Sequence, residues 1–287
     1  MEEHSLENIR HDSIRKIFGC ITAAEQVSRL EISNDTGLSL MSVGKITDML
    51  AEKGVIVYAK SDNNCVGRKA KKISLADGLY ELVIELKADV ITAVFLDLCL
   101  CESRSFDFSI GTECKKTKAF NDFFGELMSY LFENNLIGTL IGVGVVYDAP
   151  SDADVAAELA EECKKQLSLS ACVSVNALSA KAHAAALSVP EAEKVIYFGI
   201  ADGGINGAVV HARSSLNIEL GFIRCTDINE LDIALSAVIS FTAPDAVYCE
   251  LGGHFEKKDL VIVDKNRACT LLRRGAAHCV REEYLFS

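Results

Sequence analysis

The chain has 287 residues, of which 49% are hydrophobic and 24% are charged, and its mean hydropathy is +0.21. This composition excludes a disordered or collagen-like chain, and the length leads us to expect about two domains. The formal net charge of −12 argues against binding of polyanions by the chain as a whole.

The amino-terminal residues lead us to expect a cytoplasmic protein. They include Glu2, Glu3, Glu7 and Asp12, so neither a signal peptide nor a transit peptide is expected. The longest apolar runs fall short of the ~18–20 residues that cross a bilayer, which predicts a soluble protein.

The eleven cysteines are scattered and odd in number, which favours buried thiols in a reducing compartment over a disulfide framework. Cys99 and Cys101 are the one close pair, and we predict that both lie on a strand with their side chains on the same face. Because no further cysteine pair or nearby histidine completes a ligand set, we expect no metal site.

Basic residues are concentrated between residues 60 and 72. This segment contains Lys60, Arg68, Lys69, Lys71 and Lys72, with Asp62 as its single acidic residue. Most of the acidic excess follows later in the chain. The asymmetry indicates a small nucleic-acid-binding head attached to an acidic body.

Two helices are predicted at the start of the chain. Apolar residues at helical spacing predict an amphipathic first helix over about residues 9–25. A capping box formed by Ser28 and Glu31 predicts a second helix, which starts near Arg29 and ends at Gly37.

A third helix is predicted to begin at Ser39 and to end before Gly54. Val43, Ile46 and Leu50 form its apolar stripe, which we expect to face the first two helices. A short turn joins the second and third helices, as in a helix-turn-helix, where the second helix of the pair enters the major groove.

A β-hairpin is predicted after the third helix. Residues 55–58 and 72–75 are its strands, residues 61–64 form a turn, and its basic side chains would lie beside phosphate groups. This order of elements predicts a winged helix-turn-helix domain over residues 1–77. The alternative is a plain helical bundle with a solvated basic loop.

The predicted DNA-binding residues lie at the start of the third helix and on the wing. They are Ser39, Leu40, Met41, Ser42, Lys45, Arg68, Lys69 and Lys71. Ser42 and Lys45 can contact base edges, Leu40 and Met41 can contact a thymine methyl, and the wing cations supply phosphate contacts that carry no sequence information. We therefore expect modest specificity, which dimerisation over two half-sites would increase.

Past Gly78, predicted strands and helices alternate, which indicates an α/β body. Two stretches each begin with antiparallel strands and continue through crossover helices. We therefore predict two related lobes around a cleft, over residues 78–150 and 151–287. The closing helix, residues 271–285, is expected to pack back on the first lobe.

An ordered set of motifs along nearly the whole chain resembles the Repressor–ORF–Kinase (ROK) family. The motifs are Thr36-Gly37-Leu38-Ser39, Gly67-Arg68, residues 141–145, the helix at residues 176–187, Gly203 and Gly207 with Glu219-Leu220-Gly221, Leu251-Gly252-Gly253, and Arg274-Gly275-Ala276-Ala277. The resemblance implies a winged helix-turn-helix followed by a two-lobed body of the actin-like ATPase, hexokinase-like (ribonuclease H-like) fold. It also implies a cytoplasmic transcriptional regulator that forms dimers or higher assemblies. In the family the cleft binds a sugar, which the kinase branch phosphorylates with ATP and magnesium.

Both phosphate loops of the family are altered in this chain. The first loop matches residues 84–89, which contain Glu85 and Asp89 but no glycine, so side chains would block a phosphate and the acids would repel it. The second loop matches residues 201–207, where Asp202 places negative charge at the phosphate position. We therefore expect no nucleotide cofactor.

The catalytic and zinc positions of the family are altered as well. Family kinases carry an Asn-Asp pair where this chain has Asn176 and Ala177, and alanine cannot accept the proton of a sugar hydroxyl. Phe222 stands at the position of the family's zinc-binding histidine, and no compact cysteine cluster follows. We therefore predict no catalytic residue and no metal ligand.

The predicted ligand-binding residues are Asn176 and Glu219, which match positions that contact sugar hydroxyls in the family. Their structural alternatives are a helix cap for Asn176 and a solvated loop position for Glu219. Lys181 and His183 follow Asn176 on the same predicted helix. We expect them on its solvent face; the alternative is a catalytic pair, for which no third orienting residue is evident.

The sequence thus predicts a DNA-binding transcriptional regulator of repressor type. Its catalytically inactive body would serve dimerisation and the sensing of a sugar or another small molecule. One alternative is an ATP-dependent sugar kinase whose catalytic base has moved to Asp148 or Glu219. The other is a protein-interaction scaffold that has lost both DNA and sugar binding.

Overall fold

The computed structural model describes residues 2–59, 71–87, 90–110, 116–201, 204–211, 217–225, 228–250 and 260–287. These residues form an N-terminal head, two five-stranded sheets that define two lobes, and a long C-terminal helix. No helix in this part of the chain is long and apolar enough to cross a bilayer.

The head consists of three helices and a small antiparallel sheet. Its elements are α1 (Glu2–Ala23), β1 (Val27–Ser28), α2 (Arg29–Thr36), α3 (Leu40–Glu52), β2 (Ile56–Tyr58) and β3 (Lys72–Leu75). The strand order is β1-β3-β2, and the core between helices and sheet includes the fully buried Ile17, Ile32 and Ile73. This is the arrangement of a winged helix. Helix α1 begins earlier than predicted, since residues 2–8 contain no glycine or proline.

The predicted helix boundaries of the head follow from local capping. Ser28 Oγ accepts a hydrogen bond from the Glu31 backbone N–H at 3.3 Å, and the Ser28 N–H donates to Glu31 Oε2 at 2.6 Å. Gly37 ends α2 with a φ of 70°, a left-handed conformation that favours glycine. The capping box and the glycine stop are therefore confirmed.

The first lobe is a five-stranded mixed sheet covered by two helices. Its elements are β4 (Tyr80–Leu86), β5 (Val90–Asp97), β6 (Glu102–Ser109), α4 (Lys116–Glu133), β7 (Leu140–Tyr147), α5 (Ala153–Leu167) and β8 (Ala171–Asn176), with short 3-10 turns at Ile137–Thr139 and Pro150–Asp152. The strand order is β6-β5-β4-β7-β8, with the first three strands antiparallel and β7 and β8 parallel to β4.

This lobe extends beyond the predicted division at residue 150. Helix α5 is the crossover that a parallel neighbour of β7 requires, and it returns the chain to pair β8 with β7. The first sheet therefore ends at Asn176. The sequence pattern placed α5 and β8 in the second lobe because it carried no information on strand partners.

The second lobe repeats the topology of the first. Its elements are α6 (Ala177–Leu187), β9 (Lys194–Ala201), β10 (Gly204–His211), β11 (Asn217–Arg224), α7 (Ile228–Thr242), β12 (Ala246–Cys249) and β13 (Leu260–Ile262). The strand order is β11-β10-β9-β12-β13, again three antiparallel strands followed by two parallel ones. The predicted internal repeat is present, and both lobes have the actin-like layout of sheets and helices.

The C-terminal helix α8 (Lys265–Phe286) packs between the lobes. A Cβ atom on Gly142 of β7 would lie 2.5 Å from Val280 Cγ1, so the glycine allows α8 to lie close to the first sheet. Arg281 forms a bidentate ion pair with the fully buried Glu81 of β4, at 2.6 and 3.0 Å. Through these contacts α8 packs on the first sheet.

The last turns of α8 also contact the head through an ion pair and hydrogen bonds. Arg15 of α1 pairs with Glu282, with Nη2 and Oε2 3.0 Å apart. Lys53 Nζ donates to the carbonyl oxygen of Tyr284 at 2.8 Å, and the Tyr284 hydroxyl donates to the Lys53 carbonyl oxygen at 2.7 Å. Helix α8 is thus a direct mechanical link between both lobes and the head.

Candidate functional site

The exposed face of α3 starts at its N-terminal cap. Ser39 Oγ accepts a hydrogen bond from the Ser42 backbone N–H at 3.2 Å, and the two serine hydroxyls lie 3.0 Å apart. Val43, Thr47 and Leu50 are buried on the opposite side of the helix. The apolar side of α3 therefore faces the core of the head, as predicted. The hydroxyl groups of Ser39 and Ser42 both take part in the N-terminal cap.

Three further predicted DNA-binding residues are exposed at the start of α3. Leu40 is 53% exposed and Met41 is 73% exposed, and Lys45 is exposed one turn later. Apolar side chains at such a position can contact the thymine methyl group. Within the described residues Lys45 has no ion-pair partner, so its ammonium group can reach a base edge or a phosphate.

The cations predicted on the wing have different surroundings. Lys71 is exposed just before β3, and its Nζ lies 5.8 Å from the centre of the Tyr58 ring. Lys72, by contrast, pairs with Glu31 of α2 at 2.7 Å. Lys72 therefore links the wing to α2 through an ion pair and does not give the wing an unpaired positive charge. Arg68 and Lys69 lie outside the described residues.

A polar cluster that the sequence did not reveal fixes α3 against α2 and the wing. Arg29 Nη2 donates to Asp48 Oδ1 at 2.5 Å and to the Tyr58 hydroxyl at 2.6 Å. The Tyr58 hydroxyl in turn donates to Asp48 Oδ1 at 3.0 Å. These residues are 10 to 29 positions apart, so no local pattern could have identified them.

The two predicted ligand-binding residues are linked through Ser179 of α6. Asn176 ends β8 and caps α6, accepting hydrogen bonds on Oδ1 from the Leu178 and Ser179 N–H groups at 2.9 and 3.4 Å. Ser179 Oγ donates to Glu219 Oε1 at 3.4 Å. Glu219 is exposed on β11, which the sequence did not predict, and is not a loop residue.

Tyr147 completes this group, which we call the cleft cluster: Tyr147, Asn176, Ser179 and Glu219. Tyr147 ends β7 and lies beside Asn176 in the register of the parallel strands. Burial, and to a lesser extent the Glu219 carboxylate, raise the pKa of Tyr147, so its phenol is neutral at pH 7. The cluster thus brings together a phenol, an amide, a hydroxyl and a carboxylate.

The position of the first phosphate loop is closed by an ion-pair network. Glu85, 2% exposed at the end of β4, pairs with Arg273 of α8 at 2.5 Å and with Lys87 at 2.6 Å. The Lys87 N–H bonds to the Val90 carbonyl oxygen, which closes the β4–β5 hairpin at 3.1 Å. The expectation that Glu85 would repel a phosphate needs correction, because its charge is compensated by two cations. Ala88 and Asp89 lie outside the described residues.

The second matching loop joins β9 and β10. Ala201 and Gly204 are paired in that hairpin, and Asp202 and Gly203 lie outside the described residues. A Cβ atom on Gly207 would lie 2.9 Å from the carbonyl oxygen of Tyr197. Gly207 therefore has a packing role within the sheet, independent of any phosphate.

Lys181 and His183 are not on a solvent face of α6, contrary to expectation. Lys181 Nζ donates to Glu250 Oε1 at 2.6 Å, and the buried Tyr197 hydroxyl donates to the same oxygen at 2.9 Å. His183 faces His278 of α8, with ring centres 6.1 Å apart. Helix α6 lies between the second sheet and α8, so both of these sides are covered.

Cys99 and Cys101 lie on the turn between β5 and β6, not on a strand. Leu100 between them has a φ of 61°, and the Cys99 and Cys101 N–H groups both donate to Asp97 Oδ1. The turn buries Leu100 and exposes both cysteines. Among the described residues, no three His, Cys, Asp or Glu side chains are grouped so that they could hold a metal ion.

The fold is similar to two kinds of solved structure. A ROK-family transcriptional regulator, a homologue of the E. coli Mlc protein, matches with a TM-score of 0.70 and 13% identity over 97% of this chain and 98% of its own. An inorganic polyphosphate/ATP-glucomannokinase from Arthrobacter sp. strain KM matches with a TM-score of 0.51 and 12% identity over 70% of this chain and 98% of its own. No protein-family model and no curated protein sequence matches. The chain has the fold of ROK-family transcriptional regulators, as its sequence motifs predict.

Proposed function

We propose that the chain is a DNA-binding transcriptional regulator of the ROK family, of repressor type. The observation that carries this proposal is the exposed start of α3, where Leu40, Met41 and Lys45 project from a rigidly capped helix, and Lys45 has no ion-pair partner in the described part of the chain. The extent of the structural matches supports it. The regulator matches 97% of the chain, which includes most of the head, whereas the kinase matches 70%.

We propose further that the body does not transfer phosphate. Ala177 stands at the position of the kinase base and is only 1% exposed, packed with Val83, Val146 and Ala276. A carboxylate at that position would be buried among apolar groups instead of reaching a sugar hydroxyl. At the position of the glycine-containing phosphate loop, Glu85 is paired with Arg273 and Lys87, and the Lys87 N–H already donates to the Val90 carbonyl oxygen, so this amide is not free to hold a nucleotide phosphate.

The cleft cluster would then serve as a sensor. The exposed carboxylate of Glu219 and the half-buried phenol of Tyr147 can exchange hydrogen bonds with the hydroxyls of a carbohydrate, while the buried Asn176 and Ser179 hold α6 and Glu219 in place. Two DNA half-sites require two heads, so we propose that the chain acts as a homodimer or higher homo-oligomer.

Selection from a library of random duplexes tests DNA binding. The full chain should enrich a sequence and bind it at least tenfold more tightly than a scrambled duplex in fluorescence anisotropy at low salt. Lys45→Ala should remove most of that preference, whereas Lys165→Ala, an exposed lysine on the body, should not change it. Failure to retain any duplex at low salt would contradict the proposal.

The kinase alternative has its own test. A coupled ATPase assay with a panel of hexoses and aminosugars should show no turnover above background. Sugar-dependent turnover that is lost in Glu219→Gln or Asp148→Asn would overturn the assignment of an inactive body, because those are the candidate positions of a relocated base.

A further inference from the structure

A cavity of about 300 Å³ lies at the junction of head and body. Four segments line it: helix α1 of the head, the turn between β5 and β6, the end of α6 at Leu187, and the second half of α8. This volume is at the lower end of the range found for small-molecule sites. The cavity is separate from the cleft cluster, none of whose residues contributes to its wall.

The charged side of the cavity contains three guanidinium groups. Arg15 is paired with Glu282, and Arg281 is paired with Glu81. Arg274 differs from both, because its guanidinium group has no hydrogen-bond or ion-pair partner among the described residues. Because Arg274 lines the cavity, an oxyanion bound there would give its guanidinium group a partner.

The remaining wall of the cavity is mostly apolar. Phe18 of α1 and Phe286 at the end of α8 form part of it. Leu98 and Leu100 of the β5–β6 turn form another part. Burial lowers the pKa of His278 to about 4, so this lining imidazole is neutral at pH 7 and adds no further positive charge. A ligand of this cavity therefore needs an apolar group as well as a negative charge.

We propose that this cavity binds a small monocarboxylate with an apolar body, held by Arg274. A monoanion fits better than a phosphate, because two of the three guanidinium groups are already paired with carboxylates of the protein. A carboxylate also matches the planar guanidinium in geometry. Because the wall is formed by both head and body, occupancy changes the stability of the α1–α8 contact and, through it, the presentation of α3.

Isothermal titration calorimetry of the full chain tests the site directly. Hexanoate should bind saturably, whereas the uncharged hexanamide and inorganic phosphate should bind at least tenfold more weakly. Arg274→Gln should weaken hexanoate binding at least tenfold. Lys265→Gln, an exposed position on the same helix, should leave it unchanged. Equal binding of hexanoate and hexanamide, or unchanged binding by Arg274→Gln, would overturn the proposal, as would no hexanoate binding.

A second variant covers the case in which Arg274→Gln fails to fold. Gly19 of α1 lines the cavity, and a Cβ atom at this position would meet nothing within 4 Å. Gly19→Leu should place an apolar side chain in part of the cavity, favour the helix and weaken hexanoate binding at least tenfold. Retained hexanoate affinity in this variant would place the ligand elsewhere and contradict the proposal.

The regulatory part rests on the proposed DNA binding and is measured separately. Saturating hexanoate should change the affinity of the full chain for its selected duplex at least threefold, and Gly19→Leu should remove the effect. DNA binding that ignores hexanoate would refute the coupling while leaving the DNA-binding function intact. Hexanoate binding in a chain that retains no DNA would refute that function while leaving the carboxylate site intact.

Discussion

A Cβ atom on Gly275 would lie 1.6 Å from the carbonyl oxygen of Ala180, so α6 and α8 cross with their backbones in direct contact. Gly275→Ala should force the helices apart and lower the free energy of unfolding by about 1–3 kcal/mol or more. Chemical denaturation of the full chain measures this loss.

Gly125→Ala is the matched control, because Gly125 is also helical and a Cβ atom there would meet nothing within 4 Å. This change should raise the free energy of unfolding by about 0.5–1 kcal/mol through helix propensity alone. A Gly275→Ala variant that behaves like the control would show that the close helix crossing is wrong.

The buried pair of Arg281 and Glu81 should respond asymmetrically to substitution. Arg281→Met leaves the fully buried Glu81 without its cation and should cost about 3–5 kcal/mol of unfolding free energy. Replacing both residues, Glu81→Leu with Arg281→Met, should recover most of that loss. Urea denaturation of the two variants compares these values.

The exposed ion pair between Lys16 and Asp12 provides the control for this series. Lys16→Met should change the unfolding free energy by no more than about 1 kcal/mol, because solvent screens such pairs. If the double variant at positions 81 and 281 were as unstable as Arg281→Met alone, the loss would not come from an uncompensated buried charge.

The capping box of α2 should make the head sensitive to acid. Lys72 and the Ser28 cap lower the pKa of Glu31 to about 2, compared with 4.5 for the unperturbed group. A lowered folded-state pKa gives stability that is complete above pH 4.5 and is lost as the pH falls toward 2. Glu31→Gln should therefore lower the thermal midpoint at pH 7, and the gap to the unsubstituted chain should narrow at pH 3. A difference in thermal midpoint that is equally large at both pH values would argue against a charged cap. Glu52→Gln, at an exposed position on α3, is the control.

Two lysines of the proposed DNA interface should have separable effects. Lys45→Gln should change the sequence that the chain selects, because Lys45 lies on the exposed face of α3. Lys71→Gln should weaken binding to all duplexes and reduce the slope of log affinity against log salt by about 1, leaving the selected sequence unchanged. Identical effects of the two changes would contradict these roles.

The head could be predicted in detail because its boundaries are set by local chemistry. The capping box at Ser28 and Glu31, the left-handed Gly37 and the cap at Ser39 each act within four residues. What the sequence missed is non-local. The two-residue strand β1 exists only because Val27 pairs with Ile73, and a two-residue strand has no period of its own.

In the body, even more of the structure depends on strand pairing between distant residues, which sequence patterns do not reveal. The alternation of strands and helices predicted two related lobes, but the fifth strand of the first sheet was assigned to the second lobe, because strand partners depend on the crossover path. Strands β11 and β13 were not predicted, although β11 carries Glu219.

The candidate sites also depend on contacts between residues that are far apart in the sequence. Asn176 and Glu219 were found through motif positions, whereas their link through Ser179 depends on a contact 40 residues along the chain. The cavity around Arg274 combines residues from both ends of the chain, and no spacing pattern could reveal it.

Hydrogen–deuterium exchange of the full chain, with and without its selected duplex, tests most directly whether α3 is the DNA-contacting element. Exchange should slow in residues 39–45 and around Lys71 when DNA is added, and it should stay unchanged in the cleft cluster. Unchanged exchange in α3, or protection confined to the two lobes, would contradict the account.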